Sequence, residues 1–401
     1  MSEQIVLGGT NDPLNATATE FNPVMGDAEK GGATAEANRY NIMPIACTLS
    51  NLYIQLENTA GGTATRTFTI RKNTANSSVS VAMTALMLTG SDLTNTAVFS
   101  VGDFFTFSQV PATTPAASGY RYAYQLRPTT EGETALFGQS TVSVTSASVT
   151  YTPLHGGGNS ATEAGMEMVV AANGSINNLF IRLSGGTGAG KAYAFTVRQN
   201  GVSTAVTTSL NNVSAGNNTA NSIYVQSGDT ICLQITPSSS PNSRFVGASV
   251  RFIPNVVGQF LFGASVYSPS TSATNYTWVS AGSGLFNATE TTRMNLAGAM
   301  TTQAIFIKMT TAPGGVASYA FTLRENQVST GLSVTVSGAN TGGSAYSNVT
   351  HAWADQLGTE CVPSTTPNSE ANVLIGYLGY IGTAGSAVIQ EQISDFMFCM
   401  T

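Results

Sequence analysis

Thr67-Phe68-Thr69-Ile70-Arg71-Lys72-Asn73 is written three times in this chain. It returns as Ala194-Phe195-Thr196-Val197-Arg198-Gln199-Asn200 and as Ala320-Phe321-Thr322-Leu323-Arg324-Glu325-Asn326, 127 and 126 residues further on. Other markers keep the same register. Val101-Gly102-Asp103 recurs as Ser227-Gly228-Asp229 and Trp353-Ala354-Asp355, Pro111/Pro115 as Pro237/Pro241 and Pro363/Pro367, and Glu36 as Glu163 and Glu290. Self-similarity at a fixed period marks repeated structural units. Three units of about 127 residues leave the surplus at the front. We therefore expect an N-terminal arm at residues 1–15 and repeats at 16–146, 147–272 and 273–401.

Apolar and small polar residues alternate within the quoted stretch, which is the period of a half-buried strand. In the second unit the runs Val142 to Thr152, Met166 to Ala171, Leu179 to Leu183, Ala192 to Arg198, Ser203 to Leu210, Ser222 to Val225, Thr230 to Thr236 and Val246 to Ile253 give about eight strands. Gly, Asn, Ser and Pro clusters separate them, and Asn200-Gly201 carries the chemistry of a type I′ hairpin turn. No segment shows a capped helical period, and the abundance of Thr, Val and Gly works against long helices. The expected fold class is all-β: three tandem antiparallel β-sandwich, jelly-roll-like domains behind a short arm. An immunoglobulin-like sandwich is the nearest rival, but it needs only seven strands and about 100 residues.

Composition narrows function by exclusion. Charged residues are 9% of the chain, apolar residues 42% and the net charge −6, where a soluble domain usually has about 25% charged residues. The longest apolar run, Val81 to Leu88, falls short of the roughly 18 residues that span a bilayer. Fifteen Lys and Arg in 401 residues leave no basic stripe for nucleic acid. Met1-Ser2-Glu3-Gln4-Ile5-Val6-Leu7-Gly8-Gly9 lacks the basic start and apolar core of a secretory signal, so synthesis in the cytosol is expected. Cys47, Cys232, Cys361 and Cys399 are far apart, without zinc spacing or a disulfide pattern, and read as small buried hydrophobes.

In a chain this poor in charge, the repeated ionic positions Glu36, Glu163, Glu290, Arg71, Arg198, Arg324, Asp103, Asp229 and Asp355 stand out. An Arg with two carboxylates offers a grip for a ligand or cation in each unit. We expect scaffold chemistry instead: Asp capping its own turn and Arg pairing with Glu at a sheet margin. His155 and His351 occupy non-equivalent places and read as surface or lightly buried side chains. No nucleophile elbow, metalloprotease helix or calcium loop is present. Gly185-Gly186-Thr187-Gly188-Ala189-Gly190-Lys191 mimics a phosphate loop, but a strand pattern follows where a helix should start, so it reads as a hairpin loop. Tyr120, Tyr122, Tyr124, Trp278 and Trp353 suit either core packing or stacking on sugars. No enzyme activity, cofactor or metal is expected.

The phrase Thr-Phe-Thr-Ile-Arg-x-Asn, with its Thr/Ser/Asn-rich hairpin, Gly-Asp turn and Pro-x-x-x-Pro stretch, resembles modules in structural proteins of tailed phages and related viruses. The resemblance covers all three units. It implies a jelly-roll particle protein, a capsid decoration, spike or fibre component at the surface of a virion or other extracellular particle. Its partners would be other structural proteins of that particle or copies of itself. The third unit departs from the pattern at Ala354 and in its end, Ile389 to Thr401. Within this reading Ile5, Val6 and Leu7 form a candidate docking strand for a neighbour, so deleting residues 1–15 is expected to stop assembly and spare the fold. A glycan-binding adhesin or receptor-binding module using loop aromatics is the alternative.

Overall fold

The computed structural model describes residues 3–26 and 32–382. The chain is all-β, arranged as three sandwiches of two mainly antiparallel sheets each. In the first, one sheet runs in the order Gln4–Thr10, Tyr120–Pro128, Cys47–Leu56, Thr89–Phe99. The facing sheet runs Glu20–Asn22, Phe104–Ala112, Thr65–Lys72, Ala75–Thr84. Numbered along the chain, these eight strands lie in the orders 1-8-3-6 and 2-7-4-5, so each early strand is laid beside a late one. That alternation is the double Greek key of a jelly roll.

The second and third units repeat the order. Thr134–Gln139, Val246–Pro254, Gly174–Leu183 and Ala215–Asn218 form one sheet of the second unit, with Thr150–Thr152, Thr230–Ser238, Ala192–Gln199 and Val202–Asn211 facing it. Gln259–Tyr267, Asn372–Tyr380, Met300–Met309 and Gly342–His351 form one sheet of the third, and Asn275–Trp278, Gln356–Ser364, Ser318–Glu325 and Val328–Ser337 the other. Along the quoted strand the inward residues of each copy, Phe68 and Ile70, Phe195 and Val197, Phe321 and Leu323, are buried. The hairpin that follows turns on Asn73, Asn200 and Asn326 at φ 48°, 51° and 50°, then on Thr74, Gly201 and Gln327, also at positive φ. Two successive positive φ values make the I′ turn whose twist matches the strands.

Strand pairing corrects the expected arm. Gln4–Thr10 pairs along its whole length with Tyr120–Pro128, Gln4 opposite Leu126 and Thr10 opposite Tyr120, and all seven of its residues are buried. It is the first strand of the first sandwich, matched by Thr134–Gln139 and Gln259–Tyr267. Boundaries at 15/16, 146/147 and 272/273 therefore fall after the first strand of each unit. The run from Val142 contributes only Thr150–Thr152 to a strand. Residues 185–191 join Gly174–Leu183 to Ala192–Gln199, which lie in different sheets, so they form a crossover rather than a hairpin.

The three sandwiches close on one another. Asn41–Ile42 packs against Val246–Pro254 of the second unit, Met168–Val169 against Asn372–Tyr380 of the third, and Asn295–Leu296 against Tyr120–Pro128 of the first. The last contact returns the chain to its start, giving a ring with a pseudo-threefold axis. A single hydrophobic core runs through all three units. This is why the first strands have no solvent face: one side packs in its own sandwich and the other against the ring.

Candidate functional site

At the ring axis the equivalent backbones of the three units touch. A Cβ on Gly26 would lie 2.9 Å from the Gly156 Cα and 3.3 Å from the Ala281 Cα. Gly156 sits at φ 144° with the Gly282 nitrogen only 2.5 Å from where its Cβ would be. Only glycine combines that conformation with so close an approach. Around this point Gly26 N–H donates to the Leu7 carbonyl at 2.9 Å, and the Ser280 hydroxyl of the third unit donates to the same oxygen at 3.2 Å. Ile5, Val6 and Leu7 thus belong to the internal junction. They are not free to add to a neighbour's sheet.

His155 stands beside the axis, fully buried, where the first unit has Met25 and the third Ser280. Its Nε2 meets Ser265 Oγ at 3.2 Å, while Nδ1 has no partner among the described residues. Burial pushes the imidazole down to about 3, so it is neutral near pH 7. His351 is buried as well, with Nδ1 2.5 Å from Glu325 Oε2 and Nε2 2.9 Å from Thr302 Oγ1. Desolvation lowers its pKa and the Glu325 carboxylate partly opposes that. Both histidines are thus core residues rather than surface ones. The Thr302–His351–Glu325 line has the order of a nucleophile, base and orienting acid. It lacks a place for a substrate, because Thr302 is itself fully buried within a strand.

The repeated ionic residues form two motifs in every unit. Glu36, Glu163 and Glu290 each open a short 3-10 turn. Each takes a two-pronged ion pair from its arginine: Arg71 to Glu36 at 2.7 and 3.1 Å, Arg198 to Glu163 at 2.8 and 3.0 Å, Arg324 to Glu290 at 2.9 and 3.0 Å. The same guanidinium also donates to the hairpin carbonyls of Thr74, Gly201 and Gln327. Asp103, Asp229 and Asp355 form the second motif. One oxygen accepts from Asn73, Asn200 or Asn326 at 2.7, 2.6 and 2.9 Å, and the other from the backbone N–H three residues earlier. Burial alone would raise the Asp103 carboxyl, but hydrogen bonds from Lys72, Ser100 and Asn73 outweigh it and hold the pKa below the usual range. Each Asp therefore ties the positive-φ hairpin to the next strand.

Among the described residues no three His, Cys, Asp or Glu gather as a metal site, and no helix is long and apolar enough to cross a membrane. Cys47, Cys232 and Cys361 are buried free thiols; Cys399 and the segment from Ile389 lie outside the described residues. Tyr120, Tyr122, Tyr124 and Trp278 are buried, so they offer no face to a sugar, and Trp353 is stacked on Tyr53. No family model matches the chain, and no curated protein matches it.

What sequence reasoning missed is the seams between units. Their contacts join residues far apart in the chain: Asn41 Nδ2 donates to the Gly138 and Ala248 carbonyls at 2.9 and 3.1 Å, Asn178 Nδ2 to Pro44 at 3.1 Å, and Asn11 Nδ2 to Thr292 at 2.6 Å. The available signal was divergence. Gln55, Arg182 and Lys308 occupy one register position in three otherwise similar strands.

Proposed function

We propose that this protein is a non-enzymatic structural component of an extracellular particle, a virion, and acts as a capsid decoration, spike or fibre element through protein–protein assembly. The observation that carries this reading is the closed ring of three jelly rolls in one chain. Such a ring buries the first strands and the axis and turns outward a surface rich in Thr, Ser, Asn and Gly. Short side chains lose little rotamer entropy when a surface packs against a partner. The ionic residues support the same reading, since in each unit they brace a hairpin and point to no reacting group. A chain built this way presents three similar faces to a symmetric lattice while remaining a single polypeptide.

Release of particles from cells that make the protein provides the test. The chain should co-sediment with purified particles at a fixed ratio and be labelled on their surface by antibody in electron micrographs. Recovery only in the soluble fraction, with unlabelled particles, would overturn the assignment.

A further inference from the structure

The three seams use the same positions and close differently. Gly102, Gly228 and Ala354 each donate a backbone N–H to the carbonyl of Met43, Val170 or Ala297, at 3.0, 2.8 and 3.2 Å. Val101, Ser227 and Trp353, one residue earlier, are therefore equivalent. Tyr53, Phe180 and Phe306 are equivalent too, pairing with Ala123, Ser249 and Gly376 of the adjacent strand. At the seam from the third unit to the first, Trp353 lies flat on Tyr53, centroids 4.6 Å apart. Between the first and second units, the Arg182 guanidinium lies over Tyr40 and Phe104, 5.6 and 4.9 Å from their centroids. Both seams carry an aromatic contact between units.

Between the second and third units the tryptophan position is Ser227, and the two aromatic positions under the cation are Glu167 and Thr230. A cleft of about 410 Å³ remains there, within the range of small-molecule sites. Val169 and Gly228 of the second unit form one wall, and Phe306, Lys308, Asn340 and Gly342 of the third form the other. Lys308 is half-buried, and among the described residues its ammonium makes no ion pair or hydrogen bond. Glu167 feels its charge, but that carboxylate is engaged by the Thr230 hydroxyl at 2.6 Å.

We propose that this open seam binds one acidic sugar residue, a uronic or sialic acid, with its carboxylate on Lys308. One half-buried cation in a chain of net charge −6 suits a ligand carrying a single negative charge and disfavours an acidic peptide, which brings several. The neutral amide, hydroxyl and backbone groups at Asn340, Thr341 and Gly342 suit a hydroxyl-bearing ring, and the Lys308 methylene stem supplies apolar contact beside them. The site goes beyond the structural role and does not depend on particle incorporation.

Saturation-transfer NMR and calorimetry on the full chain with D-glucuronate and N-acetylneuraminate give the test, with D-glucose and N-acetylglutamate as comparisons. Millimolar or tighter binding is expected for at least one acidic sugar, at least tenfold stronger than for glucose or N-acetylglutamate. Lys308→Met should weaken it at least tenfold. Ser227→Trp, which copies the filled seam, should abolish it, with an unchanged far-UV spectrum and melting curve for the Lys308→Met chain as the folding control. No saturable binding of either acidic sugar at millimolar concentration, equal binding of glucose, stronger binding of N-acetylglutamate, or indifference to Lys308→Met would overturn the proposal.

Discussion

Ring closure lays Trp353 on Tyr53, and that contact can be weighed. The two residues belong to the third and first units, with planes 10° apart and centroids at 4.6 Å. A stacked aromatic pair contributes about 0.5–1.5 kcal/mol beyond its buried area. In an open chain of three sandwiches the two side chains would never meet and the term would be zero. Urea unfolding of Tyr53→Ala, Trp353→Ala and the double variant forms a cycle in which the area lost by each truncation cancels. The coupling should be about 0.5–1.5 kcal/mol. If unfolding proceeds in steps, the coupling is read from the first transition, since the seam must part before its units separate. The wild-type chain should also scatter X-rays with a radius of gyration near that of one compact body, about 21 Å for this length. Additivity within about 0.3 kcal/mol, together with a clearly larger radius, would refute ring closure.

Three further outcomes follow from the same structure. Removing residues 1–11 takes away a strand buried on both faces, so the first sandwich should lose its cooperative transition; the milder Leu7→Ala should cost about 2–5 kcal/mol in urea unfolding. Replacing Arg198 with Met strands a mostly buried Glu163 carboxylate and should cost about 1–3 kcal/mol, with a similar loss for the matching change at Arg71 or Arg324. Burial holds His155 down to about 3, below its value of about 6.5 in the unfolded chain. The unfolded state therefore binds the extra proton first: this contribution is full above pH 6.5 and is lost as pH falls towards 3, by up to about 1.4 kcal/mol per pH unit. Urea midpoints measured at pH 7.5, 5.5 and 4.5 should fall more steeply for wild type than for His155→Met, which carries the residue of the first unit; parallel curves would contradict the assignment.

The sequence disclosed those parts of the fold whose cause is local. Asn200-Gly201 announces its turn because two positive φ values need those residue types, and Phe195 and Val197 announce a half-buried strand because only alternate residues face the core. Glu163 and Arg198 were legible as partners because charge is rare and their spacing repeats. Ile5-Val6-Leu7 was legible as a strand but its partner was not: the repeat count left it over at the front, and the strand it pairs with, Tyr120–Pro128, lies more than a hundred residues away. His155 was misread because the glycines that follow it are there for the convergence of three backbones, not because the segment is exposed. The seams had no periodic signal at all, since they join residues such as Tyr53 and Trp353 that only ring closure brings together.

Fusing three sandwiches into one chain gives the seams a freedom that three separate copies would lack. In a trimer of identical chains every seam carries the same residues, and a change that fills one fills all three. Here the position of Lys308 is Arg182 at one seam and Gln55 at another, and the position of Trp353 is Ser227 or Val101. One seam can therefore be held by an aromatic stack and a second by a cation over two rings, while the third stays open. Chain order reinforces the difference, because Arg182 finds its aromatic pair only next to the first unit, whereas the second unit has Glu167 and Thr230 at those two positions. A Ser227→Trp chain tests this directly. If pseudo-symmetry governs the seams, the new tryptophan should settle beside Phe306, exclude solvent from the cleft and raise the melting temperature; a lowered melting temperature with no burial of the indole would mean that the open seam has its own geometry and is not an unfilled copy of its neighbour.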